Sequence, residues 1–120
     1  MVYEPTPVGL DGLEAELTRA FETIRAALDA GEPVVVALDD RDVQGAGDPA
    51  AAALAHGLLG LARALAIEGR KPGWHVAVLA AAPDVDAGER ERWIGHLAAP
   101  GAASGALVRL GGEHLGRLPA

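Results

Sequence analysis

A run of five apolar residues, Val34-Val35-Val36-Ala37-Leu38, lies between two segments with helical patterns and constrains the fold most strongly. Its apolar residues do not alternate with polar ones, so both faces of the strand that it predicts must be buried. A strand buried on both faces is typical of a parallel sheet covered by helices. The run therefore predicts an α/β fold.

The segment before this strand predicts an amphipathic helix over residues 12–30. Five apolar residues recur there at helical spacing on one face: Leu13, Leu17, Phe21, Ile24 and Leu28. Asp11 and Glu14 have the spacing of a capping box, with Asp11 as the cap. Gly31 and Pro33 are typical of a helix end.

A second helix is predicted between Asp48, as its N-cap, and Gly69. Its small residues lie on one stripe: Ala53, Gly57, Gly60 and Ala64. Glycine inside a helix costs about 1 kcal/mol relative to alanine, so this stripe needs a packing reason. We expect it to let another helix approach closely.

The rest of the chain continues the alternation of helices and strands. We expect a polar turn at residues 39–48, strands at residues 74–80 and 106–110, a helix at residues 89–98, and a turn at Gly111-Gly112. This order predicts one domain, residues 1–120, with about three parallel strands, flanking helices and right-handed crossovers.

The second helix also carries the strongest family resemblance. Seven residues match a Gly-Leu-x-Arg-Ala-Leu-Ala-x-Glu run: Gly60, Leu61, Arg63, Ala64, Leu65, Ala66 and Glu68. This run is similar to that of the short-chain dehydrogenase/reductase family. Residues 25–40, 73–83 and 96–112 resemble, in order, the family's entry into its fifth strand, its Arg-Val-Asn strand and its closing Gly-Gly segment. The resemblance covers residues 12–112 and implies a truncated, three-layer Rossmann-like fold.

The residues that the family uses for catalysis are replaced in this chain. By the resemblance, Ala51 stands at the tyrosine position, Ala55 at the lysine position, and Asp39 or Asp40 at the serine position. The sequence also contains no Gly-x-x-x-Gly-x-Gly turn for a dinucleotide pyrophosphate. We therefore expect no NAD or NADP cofactor and no hydride transfer by the chain alone.

The resemblance also implies an interface, because the family's subunits pair through the helices that correspond to residues 12–30 and 49–68. The expected interface residues are Leu17, Phe21, Ile24, Ala53, Gly57, Gly60 and Ala64. Association with a partner would also cover the unpaired edge of so small a sheet and the apolar faces of its helices. The leading hypothesis is a non-catalytic subunit that supports the assembly of an active full-length dehydrogenase/reductase, or pairs with itself.

A second hypothesis is a small cofactor-independent isomerase, cyclase or hydratase. Asp39, Asp40 and Asp42 follow the first predicted strand, where open α/β sheets place ligands, and His56 could meet Asp40 across the crevice. The carboxylates could act as a general base or hold a divalent cation. The simpler interpretations are an acidic turn with local caps, a packed or surface histidine, and a structural domain without a site.

The amino-acid composition limits the kinds of binding partner and the cellular compartment that we expect. The net charge is −7, and residues 1–50 hold eleven acidic against three basic side chains, which argues against nucleic-acid binding. The absence of cysteine agrees with a cytoplasmic protein, and no signal peptide is read at the start. The longest apolar window, residues 49–67, contains His56 and Arg63 and is mostly Ala and Gly, so we expect no membrane span.

Overall fold

The computed structural model of the chain describes residues 1–101 and 103–111. Within them, four parallel strands form one sheet in the order β1 (Val2–Tyr3), β2 (Val34–Asp39), β3 (Val76–Ala81) and β4 (Leu107–Leu110). The helices are α1 (Leu13–Asp29), α2 (Asp40–Gln44), α3 (Pro49–Glu68) and α4 (Ala87–Ala98). The predicted α/β class with a parallel sheet and flanking helices is confirmed.

Strands β2 and β3 form the centre of the sheet. They pair over their whole length, from Val34 opposite Val76 to Asp39 opposite Ala81. Every residue of both strands is buried except the last one, which is half-buried. The prediction of a strand buried on both faces is therefore confirmed for β2.

Helices cover both faces of the sheet and give it three layers. On one face, α1 and α3 pack against alternate residues of β2 and β3, among them Val34, Val36 and Val78. On the other face, Ile94 and Leu97 of α4 pack against the intervening residues. The three-layer arrangement expected from the sequence is present.

The connection from β3 to β4 differs in its handedness from the one that the sequence predicts. The strands succeed one another in a single direction across the sheet, but α1 and α3 lie on one face and α4 lies on the other. The third crossover therefore has the opposite hand from the first two, although such crossovers are right-handed in about 98% of cases. The expectation of uniformly right-handed crossovers is wrong. The physical reason is that the second face of β2 and β3 must also be buried, and in the described part of the chain α4 is the helix that covers it.

The strand count is four rather than about three, because β1 adds to the edge of β2. Strand β1 contains only two residues, and the amide of Val35 donates to the carbonyl of Met1 beside it at 2.9 Å. So short a strand has no hydrophobic periodicity, so the sequence pattern did not predict it.

Most element ends lie within one or two residues of the predictions, as at β3 and α4, and two features differ in kind. Asp11 does not cap α1: it lies in a 3₁₀ turn, and Gly12 precedes the helix without a side-chain cap. The expected polar turn at residues 39–48 contains the helix α2. At α3 the prediction is confirmed, because the Asp48 carboxylate accepts a hydrogen bond from the amide of Ala50. Gly112 of the expected final turn lies outside the described residues.

Helix α3 is long and apolar enough to cross a membrane, judged by length and composition. In the fold 39% of the apolar 18-residue window of this helix is buried, and on that side Leu54, Leu58 and Leu65 pack against the sheet and its neighbours. Core helices pass the same test of length and composition as membrane spans, so the test itself does not point to a membrane.

A buried polar cluster fastens β1 to α1. The Tyr3 hydroxyl donates to the Glu16 carboxylate at 2.8 Å, and both residues are buried. Arg19 and the amide of Thr6 also donate to this carboxylate. The hydrogen bonds from Arg19 hold the pKa of Glu16 below its usual range, although burial opposes them. Burial, followed by the bond to Glu16, raises the pKa of Tyr3 from 10.0 to about 12.

Titration of Tyr3 tests this cluster directly, because it is the only tyrosine in the chain. We expect the tyrosinate absorbance of the folded protein to appear near pH 12 and that of the urea-unfolded protein near pH 10. Since the folded pKa is the higher one, the protonated hydroxyl stabilises the fold below pH 10, and this contribution is lost as the pH rises toward 12. The Tyr3→Phe variant should lack this alkaline component. Equal tyrosinate transitions in the folded and unfolded protein would contradict the contact.

Candidate functional site

A cavity of about 510 Å³ opens at the carboxyl ends of the strands. Parallel α/β sheets commonly bind ligands at this edge. Its apolar wall comes from the segment after β1, from β2, from α3 and from the loop after β3. That wall is formed by Pro5, Pro7, Val8, Ala37, Leu38, Ala51, Leu54, Ala55, Ala81, Ala82, Pro83 and Val85.

Four carboxylates and one guanidinium line the same cavity: Glu4, Asp39, Asp42, Asp48 and Arg90. Arg90 is paired with Glu4 at 2.5 Å, which links α4 to the segment after β1. The Asp48 carboxylate is engaged with the first turn of α3. Neighbouring groups therefore neutralise the charge of some of these side chains more than that of others.

Asp39 acts as the N-cap of α2. Its carboxylate accepts from the backbone amide of Arg41 at 2.9 Å and from the Arg41 guanidinium at 2.9 Å. Burial alone would raise the pKa of Asp39, but the bonds from Arg41 and its positive charge hold it below the usual range. Asp39 lines the cavity with its charge already compensated.

Asp42 differs from the other carboxylates that line the cavity. It is half-buried, and it makes no hydrogen bond or ion pair within the described part of the chain. Burial raises the pKa of Asp42, and the negative charges of Asp39 and Asp48 raise it further, while Arg41 opposes them. The sequence placed Asp42 in the acidic turn but gave no sign that its environment differs from that of its neighbours.

Asp40 has a structural role and faces away from this cavity. Only 3% of its surface is exposed, and its carboxylate forms a two-point ion pair with Arg109 of β4, at 2.7 and 3.1 Å. The Gln44 amide donates to the same carboxylate. The pair ties β4 to the start of α2. Asp40 is therefore not an open general base as the second hypothesis required.

His56 does not meet Asp40 as the sequence suggested. Its Nε2 lies 2.7 Å from the carbonyl oxygen of Val43, and this hydrogen bond joins α3 to α2. The combination of Asp39, Asp40 and His56 is therefore not assembled around one space. Among residues 1–101 and 103–111, no group of three or more His, Asp or Glu side chains could hold a metal ion.

The positions that the resemblance assigns to the family's catalytic residues do lie together. Ala51 and Ala55 from α3 line the cavity, and of the two candidates for the serine position Asp39 lines it and Asp40 does not. The cavity is therefore present, while short methyl groups stand where the resemblance expects a phenol and an ammonium group.

The expected interface residues lie mainly on the solvent side of α1 and α3. We call this surface the outer helix face, formed by Leu13, Leu17, Phe21, Ala53, Gly57, Gly60, Ala64 and Ile67. On it, Phe21 is 40% and Ile67 is 62% exposed. Ile24 was expected to belong to the interface, but it is completely buried in the chain's own core. Its helical spacing placed it on the apolar side of α1 and could not distinguish core from interface.

The stripe of small residues on α3 divides into two parts. A Cβ atom added at Gly57 would lie 2.9 Å from the Leu17 side chain, so Gly57 permits the approach of α1 to α3 within the chain. At Gly60 an added Cβ would meet nothing within 4 Å, and Ala53 and Ala64 are exposed. Packing within the chain therefore explains Gly57 and leaves Gly60 unexplained.

No protein-family model matches the chain, and no curated protein is significantly similar to it in sequence.

The ion pair between Asp40 and Arg109 is expected to be essential for stability. Arg109→Met should lower the free energy of unfolding by about 3–5 kcal/mol, because it leaves a buried carboxylate without its counter-charge. The matched control is Arg41→Met, whose guanidinium pairs with Asp39 at a more exposed position and should stabilise the fold far less because water screens the pair. Urea unfolding of both variants measures the difference. Equal losses in the two variants would show that the pair does not hold β4.

Proposed function

We propose that this chain is a non-catalytic, short-chain-dehydrogenase-like subunit that associates through α1 and α3 with an active full-length member of that family. In this role it supports the assembly of a dehydrogenase/reductase in the cytoplasm. The same surface of α1 and α3 is available to a second copy of the chain. Self-association is therefore the alternative form of this proposal.

The outer helix face is the observation that carries the proposal. A helix that faces only water usually carries charged and polar residues on its outer side. Four exposed positions of α3 carry small or apolar residues, Ala53, Gly60, Ala64 and Ile67, and His56, Arg63 and Glu68 are exposed beside them. By contrast, α4 exposes Glu91, Arg92 and His96 on the opposite layer. The exposed small and apolar positions of α3, together with the exposed Phe21 of α1, support a partner on the α1 and α3 side.

The shape of this surface also supports the approach of a helix. A shallow hollow of about 420 Å³ lies along α1 between Leu13, Leu17 and Phe21. Open space lies above Gly60, where an added methyl group would touch nothing. Side chains of a partner helix can enter the hollow while its backbone lies close to Gly60, as in ridge-and-groove packing.

The side chains that line the cavity support a non-catalytic role. Ala51 and Ala55 carry no group that can donate a proton, and Asp39 is held by Arg41. In addition, a dinucleotide pyrophosphate at this edge would face the carboxylates of Asp42 and Asp48, and like charges repel strongly where water is partly excluded. Dehydrogenase chemistry in the assembly would therefore be performed by the full-length partner.

Substitution of Gly60 tests the interface without disturbing the fold of the chain. Gly60→Leu should leave helicity unchanged, because the position is open, and should disrupt assembly by overpacking the contact at a cost of about 1–3 kcal/mol. Gly95→Leu is the matched control, because Gly95 is an equally open helix glycine on α4. Coexpression with a full-length dehydrogenase/reductase, followed by copurification and light scattering, reports the effect.

The outcomes of this experiment separate the partners. Loss of copurification for Gly60→Leu but not for Gly95→Leu supports the proposal with a heteromeric partner. Loss of a homomeric peak with the same pattern identifies a second copy as the partner. Unchanged assembly of both variants would place any interface elsewhere and would contradict the proposal.

We also expect the isolated chain to bind neither NAD nor NADP. Calorimetric titration should give no heat of binding, because the chain has no glycine-rich pyrophosphate turn and its cavity is acidic. The double variant Ala51→Tyr/Ala55→Lys should not oxidise NADPH either. Micromolar affinity for a nucleotide, or activity of the double variant, would show that the chain has a cofactor site.

A further inference from the structure

The geometry points to the cavity at the carboxyl edge of the sheet as a binding site for a small amphipathic cation. The ligand class is a primary ammonium group on an apolar body, with the ammonium placed against Asp42 and the body against the apolar wall. The site lies on a different surface from the outer helix face, so the inference does not depend on the proposed partnership.

The apolar wall defines the body of the ligand. Pro5, Pro7 and Val8 form one side of the cavity, and Leu38 and Leu54 form another. The remaining space exists because alanines stand where larger side chains would fill it, at Ala51, Ala55, Ala81 and Ala82. At about 510 Å³ the cavity is within the usual range for small-molecule sites.

The charges of the cavity define the head group of the ligand. Glu4 is compensated by Arg90, and Asp39 is compensated by Arg41. Within residues 1–101 and 103–111, the two other carboxylates, Asp42 and Asp48, form no ion pair, and Asp48 is engaged with the start of α3. A cation beside Asp42 gains attraction to both carboxylates, whereas an anion is repelled by both.

The half-buried position of Asp42 strengthens this argument. A carboxylate that is partly removed from water without a partner raises the free energy of the fold, and a cationic ligand would restore the lost interactions. Burial and the charges of Asp39 and Asp48 raise the pKa of Asp42, with Arg41 acting in the opposite direction. Glu4 and Arg90 complete the charged groups around the cavity. Cation binding should therefore weaken as the pH falls and Asp42 becomes protonated.

The test uses three probes of similar shape and different charge: 2-phenylethylammonium, 2-phenylethanol and phenylacetate. Heteronuclear NMR titration of the full chain should show that the ammonium shifts the amide signals of the cavity residues. We expect the alcohol and the carboxylate to bind at least about tenfold more weakly, since a hydrogen-bonded charge pair typically accounts for a ten- to hundredfold difference.

Two variants and one control make the result specific. Asp42→Asn should weaken ammonium binding by about tenfold or more, and it should melt at the same or a higher temperature because it removes a repelled charge. Asp84→Asn is the control, because Asp84 is exposed and does not line the cavity. Ala51→Phe should block binding by filling the cavity.

The inference is overturned if Asp42→Asn retains the wild-type affinity for the ammonium probe, or if the three probes bind equally well. It is also overturned if none of them binds. Failure of these experiments leaves the assembly experiments with Gly60 unaffected, because the two sets of variants lie on different surfaces.

Discussion

The burial of β2 and β3 on both faces is the constraint on which the rest of the structure depends. Both strands are apolar on both faces, so the sheet is stable only when helices cover each side. Helices α1 and α3 cover one face, and α4 crosses to the other. The exceptional hand of the last crossover follows from this need. β4 then lies at the sheet edge, where the ion pair between Arg109 and Asp40 connects it to α2.

The same constraint produces two surfaces of different chemistry. Because α1 and α3 use one side to cover the sheet, their other side forms the outer helix face, which is rich in small and apolar residues. At the carboxyl edge, parallel strands end together and leave a space that alanines do not fill. We propose the helices of a partner protein for the first surface and a small cation for the second. Neither surface requires the chain to perform hydride transfer.

The sequence predicted the features that arise from continuous patterns. The buried run at Val34 predicted the central strand, and Asp48-Pro49 predicted the start of α3. The sequence patterns could not predict features that depend on contacts between residues far apart in the chain. Asp39, Asp40 and Asp42 appear equivalent in the sequence, but Asp39 caps a helix and Asp40 is paired with a residue 69 positions away, whereas Asp42 has no partner among the residues that the structure describes. In the same way, helical spacing placed Ile24 beside Phe21, and only the fold shows that Ile24 is core.

The central claim is that a partner covers the outer helix face, and thiol labelling tests it most directly because the chain contains no cysteine. A single cysteine at Ala64 lies on this face, and one at Glu91 lies on the exposed side of α4. Maleimide labelling of each variant is compared between the complex with a full-length dehydrogenase/reductase and the isolated chain. The account predicts that assembly slows labelling at position 64 at least about tenfold and leaves position 91 unchanged. Equal labelling rates at position 64 in the complex and in the isolated chain would contradict it.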